Sequence, residues 1–118
     1  MLIPAAKPFL KWAGGKRQLI DELLVRVPAN FGTFHEPFLG GGALFYRLQP
    51  KQAVLSDLNK RLIRTYKTVR DAPDALIKRL SSYPNDKAFY LDLRASNIDR
   101  KGDVSLAAWM IYLNKTGF

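Results

Sequence analysis

The sequence predicts an α/β fold, because two short strand-like segments flank a helical one and several helical segments follow. Thr33 to Phe38 and Ala53 to Ser56 are short, contain apolar and β-compatible residues, and end near glycine or polar residues. Ala43 to Leu48 between them has a helical pattern. Parallel neighbouring strands need such a crossover connection, so the three segments predict one βαβ unit.

Amphipathic helices are predicted before and after this unit. A first helix is predicted from the helical spacing of Leu19, Ile20, Leu23, Leu24 and Val27. A second, over 58–70, alternates an apolar stripe with basic positions. Further helices are predicted at about 73–82, 86–96 and 103–113, with Pro73 in a first turn and Asp86 and Asp103 as N-caps.

Composition narrows the chemistry that the chain can support. The 118 residues contain no cysteine, which excludes disulfides, thiolate zinc sites and cysteine nucleophiles. His35 is the only histidine, and it receives no role because no nucleophile or metal cluster accompanies it. No apolar run approaches the ~20 residues that span a membrane, and Met1 to Pro4 does not open a secretory signal. The expected location is therefore the cytoplasm.

The chain is strongly basic, with a formal net charge of +9 and a pI near 10.0. Such a surface attracts polyanions, and nucleic acid is the expected partner. Charge alone leaves a merely soluble basic domain as an equal alternative. Motifs must therefore decide between the two.

Three segments carry the chemistry: Lys11 to Lys16, Glu36 to Gly42 and Ser56 to Asn59. Gly40 and Gly42 follow a predicted strand, where glycine lets backbone approach a bound nucleotide. Asp57 ends the next strand, where an acid can accept hydrogen bonds from ribose hydroxyls. The structural alternatives are an ordinary tight turn for the glycines and a helix N-cap for Asp57.

Two other nucleotide-binding motifs do not match the sequence. A dinucleotide dehydrogenase needs a small residue where Phe45 stands. A P-loop needs Ser or Thr where Arg17 stands, and glycine in place of Leu10.

The order and spacing of the three segments resemble Dam-type DNA adenine-N6 methyltransferases, and the resemblance extends over essentially the whole chain. Leu113 to Phe118 also resembles the Leu-Asn-Arg-x-Gly-aromatic segment of that family. Lys115 departs from the commoner arginine, which keeps the charge but loses the bidentate fork. The resemblance implies the amino-terminal part of a Rossmann-like sheet that binds S-adenosyl-L-methionine, followed by a helical segment.

The resemblance also implies the residues of a cofactor site. They are Trp12, Lys16, Phe38, Gly40, Gly42 and Asp57. Lys16 would lie near the carboxylate of the methionine moiety and Phe38 beside the reacting groups. The alternatives are core packing for Trp12 and Phe38 and a solvated surface position for Lys16. Glu36 is left open between binding a polar part of the cofactor and ending the strand.

Double-stranded DNA is the other implied partner. Lys115 and the basic positions of 58–70 would contact phosphates, and Phe118 would contact DNA when a base is displaced. Phe118 is also expected to be poorly ordered as the final residue. These assignments divide the chain into a cofactor-binding βαβ part, 1–71, and a helical segment that leads into the DNA-recognition region, 72–118.

The family's catalytic device, Asp-Pro-Pro-Tyr, acts on an adenine flipped from the duplex. This chain contains no Pro-Pro pair, and only two strands are visible in it. The sequence therefore predicts one incomplete domain, without catalytic or metal-binding residues, that is inactive without a missing carboxyl-terminal part. The alternative is a non-catalytic remnant that binds S-adenosylmethionine or DNA. Whether the role is restriction-modification, phage or housekeeping methylation stays open.

Overall fold

A computed structural model describes residues 6–14 and 16–117 of the chain, apart from the side chain of Arg17. The chain forms two compact units, residues 1–58 and 59–118. The predicted functional division at residue 71 stays a prediction. None of the helices in the described ranges is long and apolar enough to cross a membrane.

The first unit contains the predicted βαβ arrangement. Its elements are a 3-10 helix, Lys16–Leu19, then α1, Ile20–Leu24, β1, Phe34–Glu36, α2, Ala43–Leu48, and β2, Ala53–Leu55. The two strands are parallel, and Phe34 pairs with Ala53 and Glu36 with Leu55. The α/β prediction is confirmed, with α2 as the crossover and with strands shorter than the predicted segments.

The predicted amphipathic helix after Gly15 is shorter than expected. It opens as a 3-10 helix and continues as only five α-helical residues. Because 3-10 geometry has about three residues per turn, it does not maintain an apolar stripe of α-helical spacing. Leu19, in the 3-10 helix, is accordingly 52% exposed, whereas the later positions of the predicted stripe are half-buried: Ile20, Leu23, Leu24 and Val27.

The second unit is helical and is centred on its last helix. Its elements are α3, Lys60–Asp71, α4, Pro73–Ser81, α5, Lys87–Ala95, a 3-10 turn, Ile98–Arg100, and α6, Asp103–Thr116. Helices α3, α4 and α5 all contact α6. Ala107 and Ala108 are fully buried and form a core cluster with Leu76 of α4. Small side chains on α6 let neighbouring helices approach it closely.

The predicted starts of α4, α5 and α6 are confirmed to within one residue, and one of the two predicted N-caps is wrong. Pro73 begins α4, and the Asp86 carboxylate accepts a hydrogen bond from the Phe89 amide at 2.9 Å. Asp103 is the first residue of α6 and does not cap it, because Gly102 occupies the N-cap. The Asp103 carboxylate instead accepts a charge-assisted hydrogen bond from Arg64 Nε at 2.8 Å.

The arginines of α3 are paired with acids. Arg61 donates two hydrogen bonds to Asp99, at 2.8 and 2.7 Å, and its guanidinium lies 5.1 Å from the Trp109 ring centroid. The bonds from Arg61 lower the pKa of Asp99, so this contribution to stability is lost as the pH falls through that lowered pKa. Arg64 pairs with Asp103, and Arg70 with Asp71 at 2.6 Å. Three of the five basic residues on this helix are thus paired with a carboxylate.

We expect Leu106→Ala to lower the free energy of unfolding by about 2–5 kcal/mol, since it leaves a cavity at a leucine that is fully buried in α6. Urea unfolding followed by far-UV circular dichroism measures this. Ile77→Ala on α4 is the control, because Ile77 is 61% exposed and its truncation should change stability by about 0.5 kcal/mol or less. Equal losses in both variants would contradict the assignment of the core.

Candidate functional site

The loops that follow β1 and β2 lie side by side. Parallel strands place their carboxyl ends on one edge of the sheet, and two backbone bonds extend the contact beyond the strands. The Ser56 amide donates to the Glu36 carbonyl at 2.8 Å, and the Leu39 amide donates to the Ser56 carbonyl at 3.0 Å. The glycine-rich loop and the segment around Asp57 are therefore joined at this edge, which is where open α/β sheets bind ligands.

Asp57 is directed at the glycine-rich loop. Its Oδ2 accepts a hydrogen bond from the Gly40 amide at 3.0 Å. The alternative role of Asp57 as a helix N-cap is wrong, because α3 begins at Lys60 and the Asn59 side chain caps it by accepting from the Leu62 amide at 3.1 Å. The carboxylate of Asp57 thus belongs to the loop and not to the helix.

Gly40 is required by both backbone conformation and space. Its φ of +53° lies in the left-handed region, and a Cβ there would stand 3.1 Å from Cδ1 of Trp12. Gly42 also has a positive φ, +75°, and is the N-cap of α2. The Trp12 indole is half-buried against this loop, so the first and second motif segments meet here.

Lys16 is anchored beneath the same loop. Its Nζ donates to the Phe38 carbonyl at 2.6 Å and to Glu36 Oε1 at 3.1 Å. Only 32% of the lysine side chain is exposed, so the alternative of a fully solvated surface lysine does not describe it. Phe38 itself is 69% exposed, which excludes the packed-core alternative for that ring.

The structure brings together all six residues predicted for the cofactor site. They are Trp12, Lys16, Phe38, Gly40, Gly42 and Asp57. The arrangement combines a carboxylate, an ammonium group, glycine backbone and an exposed aromatic ring, which suits a ligand with hydroxyls, an anionic end and a flat ring. Their binding roles remain predictions. In the described part of the chain, no group of His, Asp and Glu could hold a metal ion.

Glu36 is the participant that sequence reasoning left undecided. Its side chain is only 8% exposed and accepts from both Lys16 and the Phe38 amide. The signal available in the sequence was an acid at the end of an apolar strand immediately before the glycine-rich loop.

The residues predicted to contact DNA belong to the other unit. Lys115 is exposed in the last turn of α6. Phe118 lies outside the described residues, and so does the expectation about its order.

We expect Gly40→Ala to destabilise the chain by about 1–2 kcal/mol, because alanine is strained at positive φ and its Cβ would crowd Trp12. Urea unfolding of the variant checks this. Gly32→Ala is the matched control, since a Cβ at Gly32 meets no atom within 4 Å and its φ is not positive. If the Gly40→Ala variant were as stable as the control, the close approach of the loop to Trp12 would be contradicted.

Comparison of the sequence with known proteins assigns the chain to a family. Residues 12–118 match the D12 class N6 adenine-specific DNA methyltransferases. The Type II methyltransferase M1.LlaDCHI of Lactococcus lactis subsp. cremoris is 42% identical in an alignment 118 positions long. The alignment covers 95% of this chain and 42% of the relative.

Two further relatives come from other organisms. The Type II methyltransferase M.MjaIII of Methanocaldococcus jannaschii is 40% identical, over 93% of this chain and 45% of its own length. A DNA adenine methylase of Vibrio cholerae serotype O1 is 30% identical, over 95% of this chain and 42% of its own. The chain thus spans less than half the length of these curated relatives. Because the family match covers nearly all of the sequence, the chain belongs to the D12 class N6 adenine-specific DNA methyltransferases.

Proposed function

We propose that this chain supplies the S-adenosyl-L-methionine site of a DNA adenine-N6 methyltransferase, built on the first strands of a Rossmann-like sheet. The observation that carries the proposal is the hydrogen bond from the Gly40 amide to Asp57, which joins a glycine-rich loop to an acid where two parallel strands end. The membership of the chain in an adenine methyltransferase family supports the same ligand.

The geometry suggests how the ends of the cofactor would be held. The carboxylate of Asp57 would accept hydrogen bonds from ribose hydroxyls, while the glycine-rich loop lets the ligand approach the backbone. The Lys16 ammonium has three donors, and the described contacts direct it to Glu36 and to the Phe38 carbonyl. A third donor would meet the carboxylate of the methionine moiety.

The cofactor, when bound, supplies the electrophilic methyl group. The residues of this chain would bind and orient it, and the exposed Phe38 ring would cover one side of the reacting end. The Asp-Pro-Pro-Tyr device of the family is not among residues 1–118. We therefore assign no catalytic residue here and expect this chain alone to bind the cofactor without transferring the methyl group.

The second partner that we propose is double-stranded DNA. Lys60, Lys67 and Lys115 are exposed on α3 and α6, which pack together, whereas the described ion pairs of α3 use its arginines. Exposed lysines neutralise phosphates without reading sequence, so they would add affinity and not specificity.

We expect Asp57→Ala to weaken binding of S-adenosylmethionine by about 1–3 kcal/mol, or roughly 5- to 150-fold in Kd, because the ribose hydroxyls would lose their acceptor. Isothermal calorimetry with the 118-residue chain measures this. Asp57→Asn should retain an acceptor for the Gly40 amide and lose the charge, so it separates support of the loop from binding of hydroxyls.

Asp21→Ala provides the control, since Asp21 is an exposed acid in the first turn of α1. It should leave Kd unchanged. A folded Asp57→Ala variant with wild-type affinity would remove Asp57 from the ribose role, and a wild-type chain without affinity would argue against the cofactor site as a whole.

We expect replacement of Lys60, Lys67 and Lys115 by glutamine to flatten the salt dependence of DNA binding. Each lost phosphate contact lowers the slope of log K against log salt by about 0.9, so three contacts would lower it by up to about 2.7. Fluorescence anisotropy with a labelled duplex at several salt concentrations gives the slope.

The control replaces Lys78, Lys87 and Lys101, three other exposed lysines of the same unit, and so matches the change in net charge. Equal effects in the two triple variants would show that net charge, and not the positions of Lys60, Lys67 and Lys115, determines binding. An unchanged slope in the first variant would mean that Lys60, Lys67 and Lys115 form only a solvated face.

A further inference from the structure

Glu36 is a buried acid whose position the proposed cofactor chemistry leaves unexplained. It is the last residue of β1 and is 7% exposed, and no other charged residue in the described ranges is classed as buried. Burial of a carboxylate is unfavourable unless the charge is paired and hydrogen-bonded. The partners of Glu36 therefore indicate what its charge is retained for.

Those partners are the two groups that hold the glycine-rich loop. Glu36 Oε1 accepts from Lys16 Nζ and from the Phe38 amide, both at 3.1 Å. Lys16 Nζ also donates to the Phe38 carbonyl at 2.6 Å. Carboxylate, ammonium and peptide thus form a closed set of three contacts, which fixes the lysine and both polar groups of residue 38.

We propose that Glu36 is a positioning residue of the cofactor site, which holds the Lys16 ammonium and the Phe38 peptide in their ligand-binding arrangement before the ligand arrives. The inference rests on the proposed function. Glu36 acts through its neighbours and need not touch the cofactor itself.

The physical reason is preorganisation. A lysine side chain loses considerable rotamer freedom when it is fixed, and a ligand that had to fix it would bind more weakly. Because Glu36 already restricts Lys16, that cost falls on folding and not on binding. The same contacts also restrict the exposed Phe38 ring, because the amide and the carbonyl of Phe38 are both hydrogen-bonded.

A merely structural role for Glu36 makes a different prediction. An acid that only ends β1 would change the stability of the fold and leave the affinity of the folded chain for cofactor unaltered. A positioning acid changes affinity, and its effect depends on the presence of Lys16. The coupling between the two side chains distinguishes the two roles.

The experiment measures Kd for S-adenosylhomocysteine by calorimetry on the 118-residue chain carrying Glu36→Gln, Lys16→Met, or both. Glutamine keeps an acceptor oxygen but removes the charge. We expect Glu36→Gln to weaken binding roughly tenfold, which is within the range of coupling between charged neighbours. In the Lys16→Met background the same change should have little further effect.

Glu22→Gln is the matched control, because Glu22 is the other glutamate of the chain and lies exposed on α1. Its Kd should equal that of the wild type. If Glu36→Gln does not fold, Glu36→Asp takes its place in the comparison with and without Lys16→Met. Aspartate keeps the charge on a side chain that is one methylene shorter. We expect Glu36→Asp to bind more weakly than the wild type.

Wild-type affinity in a folded Glu36 variant would overturn the positioning role and leave the proposed function intact. Equal losses with and without Lys16 would also overturn it, because the two residues would then act independently. A wild-type chain with no affinity for either S-adenosylmethionine or S-adenosylhomocysteine would overturn both proposals.

Discussion

Parallel pairing of β1 with β2 is the constraint on which the candidate site depends. It requires a crossover, supplied by α2, and it brings both carboxyl ends to one edge. An antiparallel pair would place the two loops at opposite edges. The bond between Asp57 and Gly40 spans residues that are 17 positions apart, and it is possible because the strands run in the same direction.

The loop at this edge has little freedom to vary. Gly40 has a positive φ and approaches the Trp12 indole, while the amide of Phe38 and the ammonium of Lys16 share one oxygen of Glu36. The hydrogen bonds satisfy polar groups, and the close approach of Gly40 to Trp12 leaves no room for a side chain at residue 40. Residues that define the motif in the sequence are therefore the same residues that hold the loop together.

The sequence predicted the features that follow from local pattern. The βαβ order, the Asp86 cap and the start of α4 at Pro73 are confirmed, since each depends on a few neighbouring residues. Predictions that depended on distant partners were less successful. Asp103 pairs with Arg64, 39 positions away, and does not cap α6. The pairing of Lys16 with Glu36 likewise joins segments whose contact no local pattern specifies.

The net charge of the sequence overstates the number of cations that are available to bind a polyanion. Arg61, Arg64 and Arg70 lie on one helix, yet each has a carboxylate partner within its own unit. Exposed pairs of this kind contribute only about 0–1 kcal/mol to stability, so they do not by themselves explain the fold. Their effect on the electric field is larger, because an ion pair attracts a phosphate far less than an unpaired cation does. The attraction of a basic surface for a polyanion therefore depends on how its basic residues are paired, which the excess of lysine and arginine in the sequence does not reveal.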